Sequence, residues 1–181
     1  MTKKHEKIYY LCATAVFAAF IGICSQIQIP LPMIPINLAL FAVNLAGVLL
    51  GAKYGTLSVI VYVLLGLVGV PVFSNFSGGA GVLFGKTGGY IIGYIFAAFI
   101  TGLLAKRFKN SPVKLYLVMT LATLTCYAFG TVWFMVINHS TLWATLGACV
   151  FPFIPGDIIK MLAVVLLSRK LKKPLSKYLP K

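Results

Sequence analysis

Tracts such as LSVIVYVLLGLVGV (57–70) and LYLVMTLATLTC (115–126) run without a single charge. A bilayer core about 30 Å thick asks for about 20 apolar residues per helix. A membrane barrel would instead show segments of about ten residues that alternate apolar and polar. Neither tract alternates, so helices that satisfy their own backbone are the structure that fits. Composition agrees: 60% of the 181 residues are hydrophobic, only 10% are charged, and mean hydropathy is +0.99. Soluble domains carry roughly a quarter charged residues. The chain reads as one all-α integral membrane domain.

After tails and loops are set aside, the sequence supplies six spans: 8–27, 37–51, 54–70, 88–105, 115–137 and 143–168. The second and third are short and joined by a tight turn. The start MTKKHEK followed by an apolar run has the outline of a signal peptide, but no A-x-A site closes the run. Ile23 also stands before Cys24 where a lipoprotein signal wants a small residue. The first span is therefore expected to stay in place.

Lysine and arginine gather in cytoplasmic loops. Lys3, Lys4 and Lys7 precede span 1, Lys53 lies between spans 2 and 3, and Lys106, Arg107, Lys109 and Lys114 lie between spans 4 and 5. Arg169, Lys170, Lys172, Lys173, Lys177 and Lys181 form the tail. Six spans put all of these on one side, with both termini cytoplasmic. The formal charge of +14 is then mostly a topology signal, and no nucleic-acid partner is expected.

Of the sixteen basic residues only Lys86 and Lys160 fall outside this pattern, and of the two acids only Asp157 does; Glu6 belongs to the solvated start. All three exceptions fall in the outer half. An Asp or Lys at the centre of a membrane helix costs about 2.5–3.5 kcal/mol, so such groups face a cavity or a partner and mark function by default. Asp157 and Lys160 are three apart and share a helix face. An ion pair that merely packs the bundle would account for the same spacing, although apolar residues of equal volume replace such a pair easily.

Two nearby segments interrupt the helical pattern. In PFIPG, Pro152, Pro155 and Gly156 break the last span just before Asp157, where a new helix can begin. Broken helices at membrane depth survive only when buried in protein or lining a cavity. In VFSNFSGGAGVLFGKTGGYIIGY (72–94), Thr87 is placed to cap span 4, and Gly88 and Gly89 would let another molecule approach its first turn. Lys86 beside that positive helix end would suit a carboxylate. Glycines 78, 79 and 81 also suit a flexible loop, and Gly85, Gly89 and Gly93 suit close helix packing.

Together the runs IPLPMIPINLALFAVNLAGVLLG, LSVIVYVLLGLVGVPVF, GKTGGYIIGY and PGDIIK resemble the BioY family, the biotin-specific substrate-binding subunits of energy-coupling factor transporters. The resemblance covers nearly the whole chain. It implies a six-helix subunit in a prokaryotic cell membrane that captures biotin outside. It also implies work with a transmembrane coupling protein and two cytoplasmic ATPases. Many members read G-P-T-G-G-Y where this chain has Lys86, and T-L-Q-T where it reads NLAL at 37–40, so the start of span 2 receives no ligand contact by analogy. Biotin's ureido ring, with two N–H donors and a carbonyl, would meet Asp157, Lys160 and Asn75. Lys86 with the Gly88–Gly89 backbone would face its carboxylate, and Phe73, Phe76 and Tyr90 would form apolar walls.

On span 1, Ala15 and Ala19 lie one turn apart on a small-residue face. The resemblance implies docking on the coupling protein; packing inside the bundle would use the same face. His5 and His139 fall on opposite sides of the membrane and share no metal, and Cys12, Cys24, Cys126 and Cys149 read as small core residues. Trp133 and Trp143 read as interface anchors. No Walker motif is present, so any ATP belongs to another chain. An intramembrane enzyme would need an acid/base or metal constellation that one membrane acid does not supply. No catalytic residue, cofactor or metal is expected. A carrier for another carboxylate-bearing vitamin, or a proton-coupled carrier using Asp157 as its relay, stays open.

Overall fold

The computed structural model describes residues 3–31, 34–108 and 111–176, without the side chains of residues 3, 4 and 172–176. Among the described residues seven α-helices follow one another: α1 (Lys3–Gln26), α2 (Ala39–Leu67), α3 (Ala80–Leu83), α4 (Gly88–Ala105), α5 (Pro112–Asn138), α6 (Leu142–Cys149) and α7 (Phe153–Ser176). Strands β1 (Gln28–Ile29) and β2 (Ile36–Asn37) pair antiparallel between α1 and α2, a hairpin that the apolar pattern does not announce. Among the described residues four helices, α1, α2, α4 and α5, are long and apolar enough to cross a bilayer, and five spans result if α6 and α7 count as one bent helix.

The second and third predicted spans adjoin as the two halves of α2, and the helix is broken between them at Gly51, whose φ of 77° lies where glycine alone is comfortable. The chain reverses there. Leu38 N–H donates to the Cys24 carbonyl, and Ser25 Oγ, one residue on, donates to the Val72 carbonyl. Both ends of α2 therefore meet the same end of α1. A straight helix of 29 residues would hold them roughly 40 Å apart. The two halves pack so closely that a Cβ on Gly55 would lie 2.9 Å from the Ala46 carbonyl oxygen.

Helix association in lipid rests on close packing and interhelical hydrogen bonds rather than on expelling water. The core shows both. Gly47 leaves room for the Ala98 carbonyl and Thr101 of α4, and Gly93 for Cys126 of α5. Thr101 Oγ1 donates to Asn44 Oδ1 at 2.8 Å, both fully buried. α4 packs against both α2 and α5, while α1 and α7 also pack on α2. Pro112 occupies the first turn of α5, and Ser111 caps it by accepting from Lys114 N–H.

Lys7, Lys53, Lys106, Arg107, Lys114, Arg169 and Lys170 are all exposed. The helix directions put them at the end of the bundle opposite the β1–β2 hairpin. Among the other residues read as topology charges, Lys109, Lys177 and Lys181 lie outside the described residues, as do the side chains of Lys3, Lys4, Lys172 and Lys173. Cys24, Cys126 and Cys149 are buried, but Cys12 is exposed on α1, because its helix face has no neighbour within the bundle.

Candidate functional site

At the hairpin end, α2, α4, α5 and α7 diverge around a cavity of about 250 Å³. Small-molecule sites run from about 300 Å³ upward, so this one suits a small ligand. Its walls include four tyrosines: Tyr62 from α2, Tyr90 and Tyr94 from α4, and Tyr127 from α5. Tyr90 and Tyr94 are four apart and so share a helix face. Tyr90 is held firmly: its ring fills the space that Gly130 leaves, and its hydroxyl donates to the Cys149 carbonyl at 3.2 Å. That acceptor sits where α6 ends, ahead of the 49° bend into α7.

A loop between α2 and α3 closes the cavity. Phe73 anchors it, fully buried and edge-on to Tyr62 with ring centres 5.5 Å apart. The ring occupies space that any side chain at Gly66 would take, since a Cβ there would lie 2.0 Å from Phe73 Cζ. Hydrogen bonds then tie the loop to the hairpin end of α1. Gln26 Nε2 donates to the Phe73 carbonyl at 3.0 Å, and Gln26 Oε1 accepts from Phe76 N–H at 2.9 Å. Asn37 Nδ2 donates to Ser74 Oγ at 2.7 Å, while its Oδ1 accepts from Ala39 N–H at 3.0 Å. Gln28 donates to Asn75 Oδ1, and Asn75 adopts the left-handed conformation that asparagine tolerates.

The charges lie in the cavity wall. Asp157, 3% exposed, accepts from Lys160 Nζ on Oδ1 at 2.8 Å and from the Tyr127 hydroxyl on Oδ2. Lys160 is 9% exposed. Among the described residues that line the cavity, these are the one anion and the one cation. The helix carrying them begins at Phe153, within the expected PFIPG break, so Asp157 falls in its second turn. Lys160 and Asn37 also border a shallower apolar recess of about 290 Å³ between the hairpin and α7.

Of the residues singled out from sequence, Asp157, Lys160, Asn75, Phe73 and Tyr90 line the cavity. Lys86, Gly88, Gly89 and Phe76 do not. Phe76 is 73% exposed, next to the loop's anchor rather than part of it. Lys86 is exposed beside Thr87, which does line the cavity. Gly88 faces the Leu83 carbonyl, and its N–H already donates to the Gly85 carbonyl at 3.2 Å. Gly89 is filled by Trp133, so its missing side chain serves packing. Thr87 begins α4 without a side-chain cap. Trp133 is an internal strut, donating from Nε1 to the Gly85 carbonyl at 2.9 Å, whereas Trp143 is exposed. Ala15 and Ala19 are exposed on α1 and turned away from the core that Ala18 and Ile21 join.

Asn37, Ser74, Tyr62, Tyr94 and Tyr127 belong to the cavity without having been singled out. The tyrosines carried a usable signal, because a buried phenol in a membrane helix needs a partner for its hydroxyl. Asn37 and Ser74 gave none, since their pairing joins segments 37 residues apart.

Fold and cavity define a multi-pass membrane protein with a small-molecule cavity set into one end of its bundle. The profile of the BioY family matches residues 1–177, and the chain belongs to that family. It is 42% identical over 164 residues to the biotin transporter BioY of Thermotoga maritima, covering 90% of this chain and 95% of that protein. It is 38% identical over 161 residues to the probable biotin transporter BioY of Pyrococcus horikoshii, covering 87% and 93%. Among solved structures it is similar to the crystal structure of the S-component for biotin from an ECF-type ABC transporter, with a TM-score of 0.88 and 32% identity over 96% of this chain and 95% of that one.

Proposed function

We propose that this chain is the biotin-binding subunit of an energy-coupling factor transporter. It crosses the membrane six times, through α1, the two halves of α2, α4, α5, and α6 with α7. Both termini are cytoplasmic and the cavity faces outside. The observation that carries this reading is the buried Asp157–Lys160 pair in a cavity of small-ligand size, in a chain of this family. The ureido ring sits at the pair: Asp157 accepts one of its N–H groups, Lys160, with two donors beyond the one used on Asp157, reaches its carbonyl, and Asn75 meets the same ring from the loop. The thioether ring lies against Phe73 and the tyrosines. The valerate carboxylate points to the mouth, where the exposed Lys86 adjoins Thr87.

Transport then depends on partner chains that hydrolyse ATP, a transmembrane coupling protein and two ATPases, with Ala15 and Ala19 of α1 as the docking face. Exposure of both alanines supports a role outside the bundle. Titration of the purified chain with biotin tests the central reading. Saturable one-to-one binding is expected, with stabilisation of about 2.7 kcal/mol when ligand exceeds Kd a hundredfold. A chain that ignores biotin, or answers equally to unrelated carboxylate vitamins, contradicts it.

A further inference from the structure

Resting on the reading of Asp157 as the ureido acceptor, we infer that Tyr127 is a positioning residue that sets which head group the site accepts. A carboxylate offers about four acceptor positions. In this cavity Lys160 takes one on Oδ1 and the Tyr127 hydroxyl one on Oδ2, which leaves two. A cyclic urea brings two N–H donors that point apart across its five-membered ring, so the carboxylate can meet one of them with a position that the protein leaves free.

The two protein donors differ in what they fix. Lys160 sits on α7 three residues from Asp157 and moves with it. Tyr127 comes from α5, so its hydroxyl ties the carboxylate to a second helix and holds its plane towards the cavity that both residues line. Tyr127 and Asp157 are both buried. Tyr127 also shares out the negative charge. A carboxylate already engaged by an ammonium and a phenol favours a neutral urea over a cationic ligand head. Removal of the phenol oxygen frees an acceptor position and leaves more negative charge facing the cavity.

The test compares biotin with its guanidino analogue, in which an imino group replaces the ureido oxygen and the ring is cationic at neutral pH. Both are titrated into the full chain and into Tyr127→Phe, which keeps the ring and loses one oxygen. Elution profile and thermal unfolding establish that the variant is folded; Tyr127→Met, also without a hydroxyl, replaces it if it is not. The expected result is a shift of about tenfold in the ratio of the two affinities towards the cationic analogue, the scale of one hydrogen bond to a charged group. Taking the ratio cancels the analogue's loss of the carbonyl that Lys160 would meet, which is common to both proteins. An unchanged ratio, with both ligands weakened equally or not at all, makes Tyr127 an ordinary packing residue and overturns the inference. If the parent chain binds neither ligand, the reading of the site itself fails, and the inference falls with it through a different readout.

Discussion

Asp157 and Lys160 make the sharpest demand on the chemistry, because the protein already satisfies both carboxylate oxygens. Such a pair can serve packing alone, and removal of either partner separates the two roles. Asp157→Asn and Lys160→Ala should each weaken biotin binding in equilibrium titration while the protein still inserts and folds. Leaving one buried charge unpaired also costs stability, about 3–5 kcal/mol in general, so unfolding is measured alongside. Unchanged biotin affinity in either variant would assign that residue to bundle packing. The pair was legible from sequence because acids are so scarce in this chain: a lone Asp with Lys three later in an apolar helix has few uses. Lys86 and Gly88 were less legible. Their place depended on where the loop before α4 turns, and Gly88 proves to be engaged with Leu83 and Gly85.

Between α2 and α3, one ring holds the cover of the cavity in place. Phe73 enters a slot that exists because residue 66 has no side chain. Gly66→Ala should therefore expel Phe73, destabilise the protein by about 1–3 kcal/mol as over-packed cores do, and weaken biotin binding. Gly156→Ala is the matched control, since its added carbon would have nothing nearer than Ile36 at 3.9 Å. Thermal unfolding and titration of the two variants should diverge; equal behaviour would show that the slot does not matter. Helices with uninterrupted apolar runs were readable to within a few residues, and α4 coincides with its predicted span of 88–105. The turn between the short second and third spans was readable too, as Gly51 shows. The loop's ties to Gln26 were not, because they join residues about 50 apart through one side chain that no periodicity marks, and neither was the β1–β2 hairpin, whose strands are only two residues long.

Across the whole molecule, the cavity and the proposed docking face occupy different parts of one helix bundle. Ala19→Trp should leave biotin binding to the isolated chain intact while abolishing co-purification with the coupling protein and ATP-dependent uptake. Loss of binding as well would place this face inside the bundle, and normal uptake would remove it from transport. Cys12, exposed on the same helix, offers a native thiol whose protection from alkylation reports docking directly. The two ends are joined by α1. Ala19 and Gln26 are seven residues apart on it, roughly 10 Å along the axis, and Gln26 grips the cover at Phe73 and Phe76. A stiff rod that bears the proposed partner at one point and a latch at another would obey thermodynamic reciprocity. By whatever factor a filled cavity changed the affinity for a coupling protein docked at the proposed face, that docked protein would change the affinity for biotin by the same factor.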